Sequence, residues 1–189
     1  RSFGESSKEV IKYSSIFVEE LKKQNIISVL KHFPGHGSSL ADSHLGFVDI
    51  TDTWNQKELE PYRYFIANNS VDMIMTAHVF NQNLDKNYPA TLSYNVNTNL
   101  LRNKLGFDGV IVSDDLQMSA ISKHYDLKQT LTLAINSGVN MLLFANQLSK
   151  PVSLKEIVDI VYKQVLNNQI SIEQIIKSNQ RIDRMMSKY

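Results

Sequence analysis

The sequence predicts an α/β chain organised around a parallel sheet, the C-terminal part of a (β/α)8 TIM-type barrel. Two patterns carry that expectation. Short apolar runs alternate with amphipathic stretches of helical period, the signature of parallel strands joined by covering helices. Polar and Gly-containing segments follow the apolar runs, so they fall at the C-terminal ends of strands, where such barrels place their active sites. About four strands can be read, whereas a whole barrel has eight and typically ~250 residues. The 189 residues are therefore expected to form a single catalytic domain, 1–189, with the N-terminal part of the barrel missing from this chain. The opening Arg1-Ser2-Phe3-Gly4 reads as neither an initiator Met nor a signal peptide.

The elements follow in order. Ser6-x-x-Glu9 is a capping box, and Val10, Tyr13, Phe17 and Leu21 form an apolar stripe behind it. Ile26 to Leu30 reads as a buried strand, and Lys31-His32-Phe33-Pro34-Gly35-His36-Gly37 as the loop after it. Pro61 to Asn69 is helical, with Pro61 suited to the first turn. Met73 to Thr76 is a strand that leads into Ala77-His78. Asn95 to Leu105 is a helix closed by Gly106. Val110 to Ser113 is a strand followed by Asp114-Asp115. Asp126 caps a helix from Leu127 to Ser137, which Gly138 ends. Asn140 to Phe144 is a fourth strand. Ser153-x-x-Glu156 and Ser171-x-x-Gln174 open two final helices, the first with Ile157, Val161 and Val165 facing inward.

Composition excludes several classes. Twenty basic and 19 acidic residues leave a net charge of +1, and no basic stripe stands out, so nucleic acid is not expected as a partner. No apolar run approaches the roughly 20 residues of a membrane span. There is no Cys, which removes disulfides and thiol chemistry and fits a reducing compartment, so the expected location is cytoplasmic.

Chemistry concentrates in three segments. Lys31 to His44, KHFPGHGSSLADSH, packs three His, a Lys and an Asp into a Gly-rich loop after a strand. Lys31 and His32 can donate hydrogen bonds to ligand oxygens. In Asp42-x-His44, the carboxylate can hold one imidazole nitrogen and leave the other for proton transfer. A metal site of His32, His36, Asp42 and His44 would suit zinc by ligand type, but Lys31 opposes a cation, so no metal and no cofactor are expected. The second segment ends a buried strand with Asp114 and Asp115. Neighbours on a strand point to opposite faces, so one carboxylate can face the sheet mouth while the other bonds to backbone; the plainer alternative is a helix cap. In the third, Met75-Thr76-Ala77-His78, His78 either lines the pocket or is a satisfied core histidine. Met118 reads as packing.

Together these segments resemble glycoside hydrolase family 3, in its bacterial β-N-acetylhexosaminidase branch. KHFPGHG, Asp42-Ser43-His44, MTAHV, Pro89-Ala90-Thr91-Leu92-Ser93 and LGFDGVIVSDDLQM occur in the family's order. The resemblance implies a retaining enzyme acting on terminal N-acetylglucosamine of cell-wall muropeptide fragments through a covalent glycosyl-Asp intermediate. It implies Asp114 as nucleophile and His44, oriented by Asp42, as general acid/base. Lys31, His32 and Arg1 match sugar-binding positions, while Asp115, His36 and His78 are supporting residues. The expected partner is a small glycoside containing N-acetylglucosamine. Another family 3 β-glycosidase is disfavoured by the Asp42-Ser43-His44 loop. An N-acetylglucosaminide phosphorylase and a non-catalytic sugar-binding fragment remain open as alternatives.

Overall fold

The computed structural model describes residues 2–39, 48–147 and 150–189. In chain order its main elements are helix α1 (Ser7–Lys23), strands β1 (Val29–Phe33) and β2 (Val48–Asp49), helix α2 (Glu60–Ala67), strands β3 (Met73–Thr76) and β4 (Val79–Phe80), a π-helix (Asn95–Lys104), strand β5 (Val110–Val112), and helices α3 (Ser119–Ser122), α4 (Leu127–Ser137), α5 (Leu154–Leu166) and α6 (Ile172–Met186). The main sheet is parallel, in the order β1-β3-β5, and β2 pairs with β4 in a short second parallel ladder. Among the described residues the sheet does not close into a barrel.

Local signals set the helix ends. Ser6 and Glu9 form the reciprocal capping box of α1, and Asp126 does the same for α4 with Gln129. Gly138 ends α4 at φ +106°, a left-handed conformation that costs a residue without Cβ little. The inner face of α1 differs from the expected stripe. Ser14 and Val18 are its buried residues, whereas Tyr13 and Phe17 are 45% and 55% exposed. The helix is rotated so that the smaller residues meet the neighbouring α2, and the aromatic pair stays outside.

Strand β1 starts three residues later than the apolar run suggests. The reason lies in how α1 ends. Asn25 adopts φ +54° and the Ile26 N–H bonds to the Leu21 carbonyl at 3.0 Å, a closing bond of helix termination. Ile26 is thus committed to the helix end and is 50% exposed. The strand instead runs through Lys31 and His32 to Phe33, so these polar residues sit on the sheet rather than in the loop. The Lys31–His32 and Phe33–Pro34 peptide bonds are both cis.

The Asn95–Lys104 segment is a π-helix rather than the α-helix expected. Its buried aliphatic residues Val96 and Leu101 lie five apart, the spacing of one π turn. The sheet core beneath is dense. Phe33, Phe65, Ile74, Ala77, Val79, Leu101 and Ile111 are all buried in one cluster.

The fourth strand is the larger correction. Asn140 to Phe144 runs beside β5 and pairs with it in one regular bridge, Val112 to Met141, with main-chain bonds from the Asn140 and Met141 N–H groups to the Ile111 carbonyl, from Ser113 N–H to the Met141 carbonyl and from Leu116 N–H to the Leu143 carbonyl. Side chains take further amides along the pair. Asn140 Oδ1 accepts the Ile111 N–H at 2.9 Å, Ser113 Oγ accepts the Leu143 N–H at 2.9 Å, and Asp115 Oδ1 accepts the Ala145 N–H at 3.2 Å. Gln117 Oε1 takes the Asn146 N–H at 2.7 Å. Polar side chains that compete for backbone groups in this way shorten the regular pairing to the one bridge. Asn140 also accepts from Arg102 at 2.6 Å and donates to Ser178 on α6 at 3.0 Å. Asn140→Leu in the full-length protein should therefore lower stability by about 1–3 kcal/mol through the buried Ile111 amide alone. Urea denaturation checks this, and an unchanged midpoint would contradict it.

Candidate active site

Three parallel strands deliver polar residues to one edge of the sheet. β1 brings Lys31 and His32, β3 leads into His78, and β5 leads into Asp114 and Asp115. β1 and β5 flank β3, yet His32 and Asp114 reach across it. His32 Nε2 lies 3.6 Å from Asp114 Oδ2, and their side chains are 15% and 18% exposed. That separation is beyond a direct hydrogen bond but close enough for the two groups to face the same small space. Lys31 is exposed next to His32 at the same strand end.

The two adjacent aspartates part company as strand geometry requires. Asp114 remains reachable, and its Oδ1 accepts the Asp115 N–H at 2.8 Å. Asp115 turns inward and is buried. Its Oδ1 accepts from Gln117 N–H at 3.1 Å and Ala145 N–H at 3.2 Å. Neither aspartate is the cap of the helix that follows, whose N-cap is Met118.

The loop after β1 is held from below by residues the sequence reading did not single out. The Glu58 carboxylate accepts the Gly37 N–H at 3.1 Å and the Ser38 hydroxyl, and Trp54 Nε1 donates to the Pro34 carbonyl at 3.0 Å. Gly35 adopts φ +125°, and a Cβ there would stand 2.6 Å from Glu58 Cβ, so only glycine lets the loop pass this carboxylate. The one available signal was the Asn55-x-x-Glu58 capping box. His36 sits with its ring 6.0 Å from that of His32, edge to face. Arg1, Asp42 and His44 lie outside the described residues, so their predicted roles have no geometry here. Two hollows, each of about 280 Å³, are lined from Gln82 to Asn87 and around Tyr88 to Ser137; neither includes Asp114, His32 or Lys31.

The description "Glycosyl hydrolase family 3 N terminal domain" matches residues 1–185. The chain belongs to glycosyl hydrolase family 3. Among its relatives, the β-hexosaminidase of Tolumonas auensis is 36% identical over 82% of this chain and 47% of its own length. The β-N-acetylglucosaminidase of Paenibacillus sp. str. FPU-7, a family 3 enzyme, superposes with a TM-score of 0.88 at 33% identity over 98% of this chain and 35% of that one. CbsA from Thermotoga neapolitana gives a TM-score of 0.91 at 29% identity, covering 100% and 43%. The chain spans less than half the length of such curated relatives.

In this family 3 chain His78 is the most enclosed titratable group at the strand ends, 1% exposed. Its Nε2 lies 2.8 Å from the Asp115 carbonyl and its Nδ1 2.8 Å from Thr91 Oγ1. A carbonyl only accepts, so Nε2 carries a proton. Burial holds the imidazole pKa below its usual value, against the opposing pull of Asp114 and Asp115 and with a small push from His36. The neutral ring then leaves Nδ1 bare, 2.8 Å from a Thr91 hydroxyl whose single proton is shared between that nitrogen and the Ala77 carbonyl, 2.9 Å away. Thr91 Oγ1 in turn accepts from Thr76, 2.9 Å away. The PATLS motif thus closes over the imidazole through Thr91, which is fully buried.

Neutral burial has a pH consequence. The unfolded histidine takes up a proton near pH 6.5, while the folded one resists it. Stability from this group is complete above about pH 6.5 and is lost as pH falls from there toward the depressed folded pKa, by at most about 1.4 kcal/mol per pH unit. His78→Gln in the full-length protein should flatten this acid limb. Melting temperature followed from pH 7.5 to 5 in both proteins measures the difference; parallel curves would contradict it.

Proposed function

We propose that the protein carrying this chain is a retaining β-N-acetylglucosaminidase that removes terminal N-acetylglucosamine from cell-wall muropeptide fragments, with Asp114 as nucleophile. The observation that carries this reading is the Asp114 carboxylate at the end of β5. One oxygen is held by the Asp115 N–H, and the other faces His32 across the sheet. A carboxylate so oriented is a ready nucleophile, because the bond to Oδ1 fixes the angle at which Oδ2 meets an anomeric carbon.

In the first step Asp114 Oδ2 attacks the anomeric carbon, and the bond to the aglycone oxygen breaks. His44 gives that oxygen a proton. The result is a glycosyl ester on Asp114 and a free alcohol. In the second step neutral His44 takes a proton from water, the hydroxide oxygen replaces the ester oxygen, and the sugar leaves with its original anomeric configuration. Histidine suits this double duty because its ordinary pKa lies near neutrality. Asp42 favours the imidazolium needed first. Lys31, His32 and Arg1 hold the sugar hydroxyls. No metal or cofactor enters either step.

The full-length protein should hydrolyse a nitrophenyl N-acetylglucosaminide with kcat/KM at least 10²-fold above that on the matching glucoside, a gap of about 2.7 kcal/mol. A preference for the glucoside, or no turnover of either, would overturn the reading. Running the reaction in inorganic phosphate separates hydrolysis from phosphorolysis, since the latter releases a sugar 1-phosphate.

A further inference from the structure

We propose that His78 is a positioning residue for the nucleophile: from the end of β3 it grips the Asp115 carbonyl and so fixes the peptide unit that aims the Asp114 carboxylate. The inference rests on the reading of Asp114 given above and extends it to a residue that never touches the sugar.

The mechanical chain is short. The Asp115 N–H donates to Asp114 Oδ1 at 2.8 Å. The carbonyl of the same Asp115 accepts from His78 Nε2 at 2.8 Å and from the Met118 N–H at 3.0 Å. The Asp115 side chain is bound to the Gln117 and Ala145 amides. One residue therefore presents its N–H to the nucleophile while its carbonyl and its Oδ1 are tied down; its Oδ2 is buried without a hydrogen-bond partner among the described residues. All of these ties except one come from the β5 loop itself or from the segment beside it, which is joined to β5 by one bridge and a few main-chain bonds rather than a full ladder. The exception is His78, which comes from the neighbouring strand 37 residues away.

Strand β3 is the rigid member of this arrangement. It is paired on both sides, to β1 and to β5, and Ala77 and His78 are buried at its end. The imidazole cannot swing, because Thr91 occupies its far nitrogen and is itself bonded to Thr76. A neutral ring also suits the position: it offers a donor to the carbonyl without bringing a positive charge that would draw the Asp114 carboxylate inward. Asp114 and His32, which converge above β3, are thereby referenced to the strand between them. The cost of losing such a reference falls on the rate of attack rather than on sugar binding. Misplacement of a reacting group by about 1 Å can cost on the order of 10²-fold.

Two substitutions in the full-length protein separate positioning from bulk stability. His78→Asn places an amide where Nδ1 was, so it can serve Thr91 but falls short of the Asp115 carbonyl. His78→Gln places its amide nitrogen where Nε2 was and restores the donor. On a nitrophenyl N-acetylglucosaminide, His78→Asn should lower kcat on the order of 10²-fold with KM within about threefold of wild type. His78→Gln should recover kcat to within about fivefold, whatever the order of the two melting temperatures. Equal kcat losses in the two variants, or a loss confined to KM, would overturn the proposal. Wild-type inactivity on this substrate would instead remove the glycosidase reading itself, so the two failures are distinct.

Discussion

Asp114→Ala in the full-length protein should lower kcat on a nitrophenyl N-acetylglucosaminide by about 10⁴–10⁶-fold and leave binding of N-acetylglucosamine within a few-fold of wild type. The size follows from removing the atom that forms the covalent bond. Loss of a covalent nucleophile elsewhere costs on the order of 10⁶-fold, and part of the rate survives on binding and on the remaining groups. Binding should survive because the proposed hydroxyl partners come from another strand: Lys31 and His32 sit on β1, while Asp114 follows β5. The fold survives too. Asp114 is partly exposed, and its removal orphans one N–H, that of its own neighbour. Steady-state kinetics and a sugar titration by calorimetry check both halves. A small loss of kcat, or a loss of binding as large as the loss of rate, would assign Asp114 to sugar recognition instead.

The second large effect belongs to His44. A general acid contributes most where the leaving oxygen needs a proton, and general acid–base catalysis is typically worth 10²–10⁴-fold. His44→Ala should therefore reduce turnover of an alkyl or disaccharide substrate by about 10³–10⁴-fold. An activated aryl glycoside leaves without much protonation, so its glycosylation step should fall much less. The water-activating half of the reaction loses its base as well. Steady-state turnover of the aryl substrate then becomes limited by breakdown of the glycosyl ester, and a burst of nitrophenol equal to the enzyme concentration should appear. Rapid-mixing absorbance reads this directly. Equal losses on both substrates without a burst would remove His44 from proton transfer.

Much of this fold is legible because its signals are local. Asp126 and Gly138 mark the ends of α4 by cap chemistry alone, and β3 falls on Met73–Thr76 as its apolar run suggests. At two places where the structure departs from the sequence pattern, a non-local or main-chain hydrogen bond overrode the apolar run; at a third, packing did. Ile26 looks like the start of a strand, but its N–H is used to close α1. Asn140 to Phe144 looks like a full strand, but its main-chain pairing with β5 shrinks to one bridge where side chains of Asn140, Ser113, Asp115 and Gln117 take the neighbouring amides. Tyr13 and Phe17 look like a buried stripe, but the rotation of α1 is set by what packs beside it.

The site divides in the same way. Asp114 and Asp115 were readable as a pair with opposite orientations, because the period of a strand is two. His32 was readable as a loop residue with ligand chemistry, although it sits on the strand. The tie between His78 and the Asp115 carbonyl could not be read, since no spacing rule links residues from two different strands. Glu58, which holds the loop leading toward Asp42 and His44, gave only the signal of a helix cap.

Everything proposed for catalysis depends on a covalent sugar ester forming at residue 114 and not at its neighbour. A 5-fluoro N-acetylglucosaminyl fluoride offers a good leaving group and slows breakdown of the ester more than its formation. Intact-protein mass after incubation, followed by fragmentation of the peptide spanning Gly109 to Met118, locates the adduct. The account predicts one fluorosugar per protein on Asp114 and none on the Asp114→Ala variant. An adduct on Asp115, or continued turnover with no adduct at all, would contradict it.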